Sequence, residues 1–210
     1  MAHRRRPLAT ALALNTVALV AEVGAGVPAK SLSLVMDGVH NVSDEVALGF
    51  LVLAYSLRVG LSGRFLRSAN FFNSLGLLAI CAVLIWQAVE RLHQPVAVVG
   101  IVPVIVGLIA AAANYGVARV LREPAAEDAA IRLAYVHNLG DTLVSLAPVL
   151  AGVLILASGS PVVDPLVALM IAGAIIVPTL QTIAGSHRDL IFPENVSCGH
   201  AAERPSARSR

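Results

Sequence analysis

Charge is what this chain is short of. Only 13% of its 210 residues are Asp, Glu, Lys or Arg, against roughly a quarter in an ordinary soluble domain. A chain that is 57% apolar, with a mean hydropathy of +0.80, cannot cover itself in water without that polar coat. Its apolar surface must therefore face lipid. Lysine is almost missing, since fourteen of the fifteen basic residues are Arg and the formal net charge is only +2. Positive charge this sparse and scattered excludes a nucleic-acid partner. The preference for Arg, together with abundant Ala, resembles the coding bias of a GC-rich bacterium. Two cysteines, Cys81 in an apolar stretch and Cys198 near the end of the chain, make no disulfide framework. Period-two alternation is lacking as well, so nothing predicts a sheet.

Long apolar runs are what the chain does have. Six of them can cross a hydrocarbon core of roughly 30 Å as helices of about 20 residues. They fall near 8–27, 32–57, 71–91, 97–118, 133–157 and 163–183. Turn and charge signals separate them: Pro28-Ala29-Lys30, the Arg58 to Asn70 loop, His93-Gln94-Pro95, Arg119 to Arg132, and Ser158 to Pro161. Asp164-Pro165 suits the start of the last helix. The predicted fold is an all-α membrane protein with a six-helix domain over 1–183. Residues 184–210 form a short cytoplasmic tail, too poor in apolar residues to pack and expected to be disordered.

Arg and Lys counts test this layout independently. Alternate connecting segments collect thirteen basic residues on one side and two on the other. The positive-inside rule makes the first side cytoplasmic, with both termini inside. A cleaved signal peptide is a rival for the first span, because Arg4-Arg5-Arg6 precedes a run ending in Val27-Pro28-Ala29. That run is too long for an h-region of about 7–15 residues, and it contains Asn15 and Glu22.

The exceptional polar residues sit in the second and fifth spans. His40-Asn41-Val42-Ser43-Asp44 and His137-Asn138-Leu139-Gly140-Asp141 each follow a Val, so Val-His-Asn-x-x-Asp occurs twice. Residues four apart on a helix share a face. Two such helices side by side would gather two imidazoles and two carboxylates near mid-membrane, a set suited to a tetrahedral divalent metal and above all zinc. A carboxylate in a span costs about 2.5–3.5 kcal/mol, and the second span carries Asp37, Asp44 and Glu45 besides His40, on the order of 10 kcal/mol together. Hydrogen bonding between helices explains one such residue but hardly all of them.

At these residues the chain resembles the cation diffusion facilitator family, over roughly residues 8–183. Asn15, Glu22, Ser31-Leu32-Ser33-Leu34, Asp37, Glu90-Arg91-Leu92, Asn114 and Asp164-Pro165 match that family's pattern as well as the paired motifs do. The resemblance implies that His40, Asp44, His137 and Asp141 are the ligands of a transport site. It implies efflux of a divalent cation, zinc before cadmium or cobalt, in exchange for protons across the bacterial inner membrane. It also implies a homodimer, no enzyme activity and no resident cofactor, the metal being cargo. Asp37 reads either as a supporting or exit-path group or as a bond between helices. Glu22 and Asn114 read as mostly structural, and Pro148 as a possible kink in the fifth helix. Relatives often continue into a cytoplasmic domain of ferredoxin-like shape that helps them dimerise, which the tail here does not supply. The tail's own His187, Asp189, Cys198 and His200 match no zinc spacing. Two other readings use the same residues: a membrane metalloenzyme with Asp37 or Glu45 as base, and a haem-binding bundle ligated by His40 and His137, which the acidic partners argue against.

Overall fold

The computed structural model describes residues 2–57 and 63–185. Among the described residues every regular element is a helix: α1 (Ala2–Gly26), α2 (Leu32–Leu57), α3 (Gly63–His93), α4 (Ile101–Ala125), α5 (Ala129–Val144), α6 (Leu146–Ser158) and α7 (Val163–Gly185). Five stretches are long and apolar enough to cross a membrane: Arg6–Gly26, Asn73–His93, Ile101–Ala125, Ile131–Ser158 and Val163–Gln181. The sixth expected span is α2. Its 26 residues reach about 39 Å at 1.5 Å per residue, but its acidic residues set it apart from the apolar five.

Two expectations need correcting. The sequence predicts a connection after the second span that runs to Asn70, yet α3 already begins at Gly63. It predicts the fifth span as one helix over 133–157, whereas α5 and α6 meet at Ser145. Pro148 is the physical reason for the break: it has no N–H to give the carbonyl of Val144, and its ring crowds the preceding turn. The tail lies outside the described residues from position 186 onward.

Helix α2 stands at the centre, in contact with α1, α3, α4, α6 and α7. Its first half joins a core with α3, α6 and α7, in which Met36 packs near Cys81, Ala151 and Ile171. Its second half joins a different core through Leu48, with Leu8, Val117, Leu121 and Ile131 from α1, α4 and α5. The polar centre of α2 lies between the two. Around the outside, large apolar side chains such as Trp86 and Leu143 stand 75% and 71% exposed, which is tolerable only where lipid covers them.

The beginning of α2 is clamped from α7. Asp164, fully buried, accepts bonds from the Ser31 and Ser33 hydroxyls at 2.7 and 2.6 Å. It also accepts from the backbone N–H groups of Leu32 and Ser33 at 2.5 and 3.3 Å. A carboxylate at a helix N-terminus meets both the orphan donors and the positive end of the helix dipole. In the turn before it, Lys30 adopts a left-handed φ of 59°, and its carbonyl accepts a bond from the Arg91 guanidinium. The polar residues flanking the first two spans thus tie three helices together at one end of the bundle.

Candidate metal centre

His40 and Asp44 lie about 12 and 18 Å along α2 from Leu32, in the middle of the helix. Across from them α5 presents His137 and Asp141. The pairing is crossed. His40 Nε2 donates to Asp141 Oδ1 at 2.9 Å, and His137 Nε2 donates to Asp44 Oδ1 at 2.8 Å. Within each helix the His and Asp are farther apart, at 3.9 Å for His40–Asp44 and 3.6 Å for His137–Asp141. The two rings meet edge to face with centroids 5.4 Å apart.

One donor atom from each residue lies within 4.8 Å of all the others. A tetrahedral zinc ion with bonds of about 2.0–2.1 Å holds its donors about 3.3 Å apart, so a small inward movement completes such a site. Asp44 Oδ2 and Asp141 Oδ2 are buried without any hydrogen-bond partner, the condition of acceptors that await a cation. Two carboxylates and two neutral imidazoles carry a formal charge of −2, which a divalent ion cancels. Exposure is lopsided: the His137 side chain is 47% exposed while Asp44 and Asp141 are nearly closed off. His137 is therefore the most exposed corner of the cluster.

The other singled-out residues stand around this cluster without joining it. Asn15 on α1 donates to the Asn41 carbonyl at 3.0 Å and to Glu45 Oε2 at 2.9 Å. Thr16 takes the second Glu45 oxygen at 2.6 Å. Both oxygens of Glu45 are thus engaged by α1, away from the four donors. Asn41 turns to the buried Glu22, whose neighbour is Asp37. Asn114 on α4 donates to the Ser145 hydroxyl at 3.0 Å.

Sequence reasoning missed Ser145 entirely. It is fully buried at the α5–α6 break and touches both Asn114 and Asp37. A lone Ser in an apolar run gives no signal; only its position three residues before Pro148 could have marked it. It also missed Asn73, which donates to the Ser43 hydroxyl at 2.8 Å and so ties α3 to α2.

Comparison with known proteins agrees with this geometry. The chain matches the cation efflux transmembrane domain over residues 8–191. It is 28% identical over 174 residues to the zinc transporter ZitB of Pectobacterium atrosepticum, covering 79% of this chain and 54% of that protein. It is 29% identical over 174 residues to the metal cation efflux system protein CzcD of Cupriavidus metallidurans, covering 79% and 55%. It is 29% identical over 167 residues to the cadmium, cobalt and zinc/H(+)-K(+) antiporter of Bacillus subtilis, covering 73% and 53%. The chain spans about half the length of these relatives. Each of them is named as a transporter or an efflux protein, which points to transport rather than enzyme catalysis. By the match over most of its length, this integral inner-membrane protein belongs to the cation efflux family, the cation diffusion facilitators.

Proposed function

We propose that this chain carries a divalent cation, zinc before cadmium or cobalt, out of the cytoplasm in exchange for protons. In this reading His40, Asp44, His137 and Asp141 are the four ligands, and the metal is cargo. The observation that carries the reading is the convergence of two imidazoles and two carboxylates from α2 and α5 within 4.8 Å, with two carboxylate oxygens left free. Borderline nitrogen with hard oxygen donors suits zinc better than magnesium or calcium. Four protein donors also fill a tetrahedral ion, leaving no position for the activated water a metalloenzyme needs.

The exchange follows from shared atoms. Each Nε2 that donates a hydrogen bond here is an atom through which an imidazole can hold the metal, and each carboxylate must be ionised to do so. Protons and metal therefore compete for one set of side chains. The domain is residues 1–183, a bundle of six spans with both termini cytoplasmic, working as a homodimer in the lipid bilayer. The thirteen-to-two bias of basic residues supports that orientation, and the antiparallel register of the two motifs supports a site between inverted halves.

Metal uptake by proteoliposomes under an imposed pH gradient tests the proposal. Zinc should accumulate against its gradient when the proton gradient opposes it, and collapse of the pH difference should stop it. Uptake indifferent to the gradient would remove exchange, and undiminished uptake by Asp44→Ala with Asp141→Ala would remove the site.

A further inference from the structure

Two acidic side chains outside the four-donor cluster have no cation to answer them. Glu22 of α1 and Asp37 of α2 are 0% and 1% exposed, and they meet side by side. Gly38 permits this closeness, because a Cβ there would stand 3.1 Å from Glu22 Cβ and 2.9 Å from Val23 Cγ2. Three of the four oxygens can be accounted for. Glu22 Oε2 accepts from Asn41 Nδ2 at 2.5 Å, while Glu22 Oε1 and Asp37 Oδ2 are buried with no donor in reach. Ser145 is Asp37's other polar neighbour.

Two carboxylates can hydrogen-bond to each other only if one of them carries a proton. Both ionised, with neither of them paired to an Arg or Lys among the described residues, they would be adjacent anions inside the membrane, each costing several kcal/mol. The groups facing them are few. From α2 come His40, Asn41 and Asp44, from the α5–α6 region Asp141 and Ser145, and from α4 only Asn114 behind Ser145. Neither carboxylate is bonded to any of the four proposed ligands.

We propose that Glu22 and Asp37 hold one proton between them in the metal-free protein, a proton site separate from the metal cluster, and release it when a divalent cation binds there. The inference rests on the exchange described under Proposed function and adds a second seat for an exchanged proton. Asp37 lies one helical turn, about 4.5 Å along the axis, from His40. A double positive charge at the cluster is near enough to favour both carboxylates in their ionised form. On metal binding the carboxyl O–H bond breaks and the proton passes to water, with nothing oxidised or reduced. On metal release water returns a proton and the pair closes again.

Zinc titration of the purified full chain in several buffers of different ionisation enthalpy counts the protons released per metal. Wild type should release about one more proton than Glu22→Gln at the same pH, because the amide of the variant has no acidic proton to give up. An unchanged count in a variant that still binds zinc would overturn the pair while leaving exchange at the cluster intact. No release by wild type would overturn the exchange itself, and this inference with it. Infrared difference spectra of the wild-type protein serve if the variant does not fold. A protonated carboxyl band that disappears on adding zinc, and shifts with isotope-labelled glutamate or isotope-labelled aspartate, is the expected result. A band insensitive to both labels, or no band, would refute it.

Discussion

His137 on α5 bonds to Asp44 on α2 at 2.8 Å, closer than to Asp141 of its own motif at 3.6 Å. The mirror pair, His40 with Asp141 at 2.9 Å, completes the crossing. This is what antiparallel helices produce when each carries His four residues before Asp: the His of one stands level with the Asp of the other. Two weak single-helix pairs thereby become one four-cornered cluster in which every corner belongs to a different residue and no helix can leave without opening two bonds.

Each corner should then be indispensable. His40→Ala, Asp44→Ala, His137→Ala and Asp141→Ala each remove one donor of four, and metal affinity should fall by more than the roughly 10–100-fold typical of losing a supporting group. Transport by the inserted protein should fall in step. Equilibrium zinc binding and proteoliposome flux measure the two effects, and normal flux in any one variant would release that residue from the site.

The cluster was legible in the sequence because ionisable residues inside a span are too costly to be incidental. The spacing of four then put each His and Asp on one face. The crossed pairing was not legible, since it depends on the relative direction and height of two helices. The helix boundaries suffered for a different reason. Gly63 to Asn70 is polar enough to read as a loop, but α3 simply extends beyond its apolar part. Likewise the Pro148 kink was visible as a possibility, while the Ser145 break it creates, and the buried hydroxyl placed there, came only with the structure. Asn41 and Asn138 look equivalent in the repeat, yet one reaches Glu22 and the other bonds back to the Ala134 carbonyl.

Selectivity should follow donor chemistry. His40→Asp exchanges a borderline nitrogen for a hard oxygen, and preference should move from zinc toward harder or larger divalent ions. Competition uptake with zinc, cadmium and manganese reads this directly. A variant with the wild-type order of metals would show that His40 does not set selectivity.

The Asp164 clamp should be a major source of stability. Asp164→Ala strands two backbone N–H groups at the buried start of α2 and leaves the Ser31 and Ser33 hydroxyls only one another to donate to, at 3.2 Å. Leaving a buried neutral donor without its acceptor costs about 1–3 kcal/mol. Thermal unfolding in detergent should show a clear drop in Tm. A Tm within a degree or so of wild type would mean that water replaces the carboxylate there.

Helices α4 and α6 approach as closely as their glycines permit. A Cβ on Gly152 would sit 2.5 Å from the Gly100 carbonyl oxygen and 3.0 Å from the Val104 backbone nitrogen, and backbone cannot yield as a side chain can. Gly152→Ala should therefore destabilise by about 1–3 kcal/mol, the usual range for overpacking. Gly173→Ala is the control, because nothing lies within 4 Å of its Cβ position. It should be neutral or slightly stabilising, as Ala is the better helix former. Equal effects of the two substitutions in the same unfolding assay would contradict the close packing.

Proton competition gives the last expectation, and its sign follows from the donors. Metal binding needs a lone pair on each imidazole and an ionised form of each carboxylate, so every proton that occupies one of these groups must leave first. Zinc affinity should therefore fall as the pH is lowered, most steeply through the range from about 8 to about 6 where imidazole chemistry ordinarily titrates. The slope counts protons: release of one makes affinity change about tenfold per pH unit, and release of two about a hundredfold. Zinc titration at several pH values measures the slope on wild type, and it must agree with the number released in calorimetry. A flat profile across this window would leave the four side chains as a metal site but take away their part in exchange.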